Sequence, residues 1–139
     1  MRPLLQFVGF CIIVFFLVGE FQGWYLGISS QTPMFLYKKT HTVSASRTTS
    51  TTDKLDLSLD GKVRDGTVVV EAFYEIPPSF QQGTNAVAKR RIFDETYFQG
   101  EAIALDKSLR AGKGKYTVRI TYEHASGLFR LELPDNNTL

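Results

Sequence analysis

The sequence predicts an all-β fold: an immunoglobulin-like antiparallel β-sandwich of about six or seven strands, preceded by one N-terminal transmembrane helix. Three observations carry this. Apolar and polar residues alternate with period two in run after run between Leu55 and Leu133, the signature of strands buried on one face. Glycine and proline dipeptides punctuate those runs. Beyond Leu26 no segment sustains a helical period, and no stretch repeats another.

The helix comes first. Met1-Arg2-Pro3 precedes an apolar run from Leu4 to Val18, interrupted by Gln6 and Gly9. A cleavable signal peptide needs small residues before its cleavage site. A cut after Gly19 puts Leu17 at the minus-three position, and a cut after Gly23 puts Phe21 there. The sequence therefore favours an uncleaved anchor, residues 1–26. As helix, Leu4 to Gly19 spans about 24 Å, short of the ~30 Å hydrocarbon core. Extending it to Trp24 and Tyr25 closes the gap and sets both aromatics in the interfacial belt. Arg2 and the amino terminus place the N-terminus in the cytoplasm and the remainder outside it.

Residues 27–52 read as a connector. Phe35 to Val43 is a candidate first strand blurred by Lys38, Lys39 and His41. Ser44 to Thr52 is nearly all Ser and Thr, has little to bury, and reads as a linker. The sandwich proper is expected over 53–134, with 135–139 a tail. In it, Leu55, Leu57 and Leu59 alternate with Asp56, Ser58 and Asp60. Asp60-Gly61 and Asp65-Gly66 are turn dipeptides. Thr67 to Ile76 carries apolar residues on both faces, as a central strand does, so Glu71 and Glu75 need partners. Pro77-Pro78 ends it. Ser79 to Arg90 is irregular. Ile92–Phe98 and Glu101–Asp106 then read as a hairpin about Gln99-Gly100.

The clearest pattern is the last. Tyr116, Val118, Ile120 and Tyr122 share one face, opposite Thr117, Arg119, Thr121 and Glu123. His124-Ala125-Ser126-Gly127 breaks the run. Phe129, Leu131 and Leu133 resume it, so the segment reads as a β-hairpin turning at Gly127. Leu109, then Gly112 and Gly114, then Tyr116 resembles the tyrosine corner of immunoglobulin-like and fibronectin type III-like sandwiches. The resemblance implies that the Tyr116 phenol bonds to backbone a few residues upstream. It covers about ten residues, and the disulfide of immunoglobulin domains is absent.

Composition excludes more than it identifies. The chain has 139 residues, a formal charge of +2 and one cysteine, Cys11 in the apolar run. There is no charge surplus to drive nucleic-acid binding, no disulfide framework and no cysteine-rich metal site. His41 and His124 lack carboxylates at ligand spacing, and no nucleophile elbow or phosphate loop is present. No cofactor and no enzymatic role is expected. Candidate contacts to a partner or to lipid are Lys89, Arg90 and Arg91 at the end of the long loop, Phe80 beside the prolines, and Glu20 at the membrane edge. The reading that follows is a membrane-anchored, non-enzymatic accessory or assembly subunit of a membrane protein complex. The alternative is a secreted or anchored module that binds carbohydrate or peptide.

Overall fold

The computed structural model describes residues 1–27, 33–49, 53–75 and 89–132. Helix α1 spans Arg2–Gln22. Seven strands follow: β1 Trp24–Leu26, β2 Met34–Thr49, β3 Asp53–Lys62, β4 Asp65–Glu75, β5 Lys89–Tyr97, β6 Ala102–Ala111 and β7 Gly114–Glu132. Every strand pairing is antiparallel. The protein is therefore all-β behind an apolar helix.

The expected hairpin at the C-terminal end is instead one 19-residue strand. β7 runs beside β2 from Gly114, opposite Thr49, to Phe129, opposite Met34. Its other edge changes partner. Residues 115–126 pair with β4, and residues 129–132 pair with β3. The His124–Gly127 break is the bend between the two. There His124 adopts a φ of 46°, matched in β2 by Lys38 at 46°, and register slips occur on both flanking ladders. An extra residue on one strand bends it and inverts its side-chain parity, as a β-bulge does. Two long strands bending side by side fold a single sheet over itself.

The result is two layers. The β4 layer is β5-β4-β7-β2, built on the first part of β7. The β3 layer is β6-β3-β7-β2-β1, built on its last part. Between them lie Leu57 and Leu59 of β3, Val68 and Val70 of β4, Ile103 and Leu105 of β6, and Val118, Ile120 and Tyr122 of β7. Gly66 shows how tightly the layers meet at the bend. Its φ is 76°, and a Cβ there would run into the backbone carbonyls of Glu123 and His124. The Asp65-Gly66 dipeptide thus opens β4 rather than linking strands. The link is Val63-Arg64, held by the Arg64 amide donating to the Ser126 carbonyl at 2.8 Å.

Three other expectations change. β2 continues through Ser44 to Thr49, so that Ser/Thr-rich stretch is paired strand; its outward residues need no apolar partner because they face away from the core. β5 and β6 are not a hairpin. β5 pairs only with β4 and β6 only with β3, so the Phe98–Glu101 link crosses between layers. The helix stops at Gln22, where Gly23 turns at φ 70°. Trp24 and Tyr25 are in β1, which pairs with β2.

Candidate functional site

The strand parity of the β4 layer puts Val68, Val70 and Ala72 inward and Val69, Glu71, Phe73 and Glu75 outward. Register then places rows of side chains across four strands. Ser44, Arg119, Glu71 and Asp94 form one row, and Ser46, Thr117, Phe73 and Arg91 the next. The contacts follow this grid. The Arg119 guanidinium lies over the Phe73 ring, 5.2 Å from its centroid. One Arg91 nitrogen is 3.6 Å from Glu71 and 3.3 Å from Asp94. Lys89 is 3.2 Å and Lys115 3.9 Å from Glu75. Ser46 and Thr117 hydroxyls are 3.0 Å apart. Glu71 and Glu75, which the sequence left in need of partners, find them here.

Two of the three residues of the predicted basic cluster join this face. Lys89, Arg90 and Arg91 begin β5 rather than ending a loop, and all three are exposed. Lys89 and Arg91 face outward with Glu75 and Glu71. Arg90 sits opposite Tyr74. Phe80 lies outside the described residues. The sequence did not single out Phe73 or Arg119. One looked like core strand, the other like ordinary solvated alternation, and only the register of β4 with β7 brings them together.

The outer face of the β3 layer is different. Asp56, Ser58 and Asp60 face outward on β3, beside Ser108, Asp106 and Ala104 of β6. No aromatic side chain stands among them. At the far edge of this layer α1 is attached. Gly19 leaves room for the Trp24 indole, which no Cβ would tolerate. Trp24 also packs on Phe15 with ring centroids 4.0 Å apart. Glu20 accepts hydrogen bonds from the Tyr37 hydroxyl at 2.7 Å and from Lys38 at 2.6 Å. That carboxylate holds the Lys38 ammonium above its ordinary pKa. An apolar groove of about 360 Å³ between the helix and Trp24 is lined by Phe10, Cys11, Val14, Phe15 and Val18.

Two tyrosines mark the ends of the inward face of β7. The Gly112 amide donates to the Tyr116 phenol oxygen at 2.7 Å, and Tyr116 stacks on Tyr74, 4.9 Å between centroids. At the bend, Tyr122 is fully buried between His41 and Phe129. Its hydroxyl has no hydrogen-bond partner among the described residues, and burial pushes its pKa upward. The Tyr97 phenol is pushed up to about 12, mainly by burial and then by Glu95. Among the described residues no three His, Cys, Asp or Glu side chains are grouped to hold a metal ion.

Comparison with protein-family models gives no match, and neither does comparison with curated proteins. Among solved structures, the chain is similar to one described as "Family 16 Carbohydrate Binding Module-2". The TM-score is 0.53 at 8% identity, over 81% of this chain and 85% of that one. A second, "CBM4 structure and function", aligns at a TM-score of 0.40 and 10% identity, over 85% of this chain and 83% of that one. At these identities the first likeness shows the β-sandwich fold alone. The second, below 0.5, carries no argument.

α1 is long and apolar enough to cross a bilayer, with a mean hydropathy of 2.3. A membrane anchor and a signal sequence both have that character.

Proposed function

We propose that the sandwich is a non-catalytic carbohydrate-binding module, held at a membrane by α1, and that it binds through the outer face of the β4 layer. The observation that carries this is the Phe73–Arg119 pair within its grid of carboxylates and hydroxyls. A sugar offers hydroxyl groups that both donate and accept, so its binding surface needs both kinds of partner at fixed spacing. Arg119, held over the Phe73 ring, presents a planar fork of donors. Glu71 and Asp94 supply acceptors on the same row as Arg119, and Arg91, on the next row, restrains both. Charged hydrogen-bonding groups are roughly twice as strong as neutral ones, and their cross-strand pairing limits the ordering cost on binding. The likeness to a carbohydrate-binding module is consistent with this use of the fold, though fold alone does not assign function.

The test is affinity electrophoresis of the full chain in detergent against a panel of soluble polysaccharides. Phe73→Ala and Arg119→Ala should each weaken retardation at least about tenfold, the equivalent of ~1.4 kcal/mol. Lys54→Ala, on the other layer, should leave it unchanged. Retardation by no polysaccharide, or equal loss in all three variants, would sink the proposal.

A second reading has one observation of its own. Trp24 seated on Gly19 and Glu20 bonded to both Tyr37 and Lys38 fix the sandwich on its helix. A fixed orientation suits an accessory or assembly subunit of a membrane protein complex. Co-purification of a stoichiometric membrane protein in mild detergent would favour it over sugar binding.

A further inference from the structure

The outward face of β1 is the one that meets the helix. Trp24 packs on Phe15 and Gly19, and Tyr37, its register partner on β2, bonds to Glu20. Residues two apart on a strand share a face, about 7 Å along. The next row on this face is therefore Leu26 of β1, Phe35 of β2 and Leu128 of β7, which are register partners in that order. All three are exposed, at 68%, 43% and 59%. Three large apolar side chains on three adjacent strands are unusual for the outside of a sandwich, where the same positions further along carry Arg130 and Glu132. Their exposure also shows that the helix does not lie along this face. It leaves the face one row away.

We propose that Leu26, Phe35 and Leu128 sit in the headgroup region of the bilayer that α1 enters, so that the β3 layer faces the membrane. The proposal rests on α1 being an anchor, and it goes beyond sugar binding. Continuity of chain and face decides the occupant. The row begins four residues beyond Gln22, the last helical residue, on the same side as the contacts to the helix. A helix leaving this face into lipid carries the row to the interface with it, where apolar side chains bury at the acyl boundary. Exposed Arg130 lies two residues beyond Leu128 on the same face, opposite Asp60. Exposed Lys62 adjoins Gly61, which pairs with Phe129. Both have stems long enough to reach headgroup phosphates while the apolar row is buried. The Phe73 face, on the other side of the core, would then point into solution.

The experiment uses the full chain with Cys11→Ser, reconstituted in phosphatidylcholine vesicles containing phosphatidylserine. A fluorophore is attached at Leu128→Cys, or at Thr96→Cys on the outer face of β5. The label at 128 should be quenched by lipid spin-labelled near the headgroup. It should also be several-fold less accessible to aqueous iodide than the label at 96. Equal iodide access at both sites, with the chain resisting carbonate extraction, would overturn the apposition and leave the anchor standing. Shielding from iodide without lipid quenching would mean that protein covers the row, and would also overturn it. Release of the chain by carbonate would remove anchor and apposition together.

Discussion

The outer faces of the two layers are made by the same pleat over the same core, yet their chemistry differs. On the β4 layer Glu71, Asp94 and Glu75 each have a cation within reach, and Phe73 carries an arginine. On the β3 layer Asp56 and Asp106 stand beside serines, and the large apolar residues crowd one end near the helix. Burial dictates only what points inward. The outward positions are free to diverge, so they report what each face meets. One face carries a fixed array of donors and acceptors. The other carries an attachment.

The difference exists only because β2 and β7 bend together and turn one sheet into two faces. Breaking the bend should therefore have the largest effect. In Gly66→Ala the new Cβ meets two backbone carbonyls that cannot swing away, at a φ that disfavours any side chain. The left-handed conformation alone costs about 1–2 kcal/mol, and the collision adds to it. A loss of about 3 kcal/mol or more in urea melts is expected. Retention of the native midpoint would mean the two layers are not tied at this point.

The bend is also where the sequence was hardest to read. Alternation makes β3 and the two halves of β7 legible, because one face of each is buried and the other is not, while β4 is legible as a β-prone run with apolar residues on both faces. A lone parity change at His124–Gly127 looks the same whether the chain turns back as a hairpin or continues through a bulge. Only pairing with β3 and β4, remote in sequence, tells them apart. Ser44–Thr49 reads as a linker for a related reason. A strand whose outward side is Ser and Thr, and whose inward side runs from Val43 and Ala45 to Arg47 and a buried Thr49, has too weak an apolar pattern to register. The candidate site was less legible still. Phe73 and Arg119 are unremarkable on their own strands and acquire a role only in register.

The inward face shared by both layers offers a smaller effect with a change of sign. Tyr116→Phe removes the acceptor of the Gly112 amide at the corner where the chain passes from the β3 layer to the β4 layer. It should lose about 1–2 kcal/mol. Tyr122→Phe removes a buried hydroxyl that has no partner among the described residues, so it should be neutral or stabilising by up to about 1 kcal/mol. Alkali sharpens the contrast. Tyr122 keeps its proton in the folded state above the ordinary tyrosine pKa of about 10, where the unfolded chain loses it. Folding stability then falls as pH rises past 10, and Tyr122→Phe should reduce that fall. Equal losses for both variants at pH 7 would show that the corner bond is worth nothing.

The smallest effect tests the two outer faces directly. Glu75 is half-buried, with a side-chain exposure of 17%, and lies between Lys89 and Lys115. Asp56 is exposed and opposite Ser108. Surface ion pairs contribute about 0–1 kcal/mol, the upper end requiring restrained geometry and more than one partner. Glu75 meets both conditions, so Glu75→Gln should cost about 0.5–1 kcal/mol. Raising the salt concentration should shrink that cost, because Lys89 and Lys115 are themselves accessible to counterions. Asp56→Asn should change the melt by less than the measurement resolves at any salt. A double-mutant cycle with Lys89→Ala isolates the Glu75–Lys89 coupling from the loss of the carboxylate itself. If that coupling is zero, the pairing on the β4 face is no more organised than solvated charge. The fixed array that sugar binding requires would then have no energetic basis.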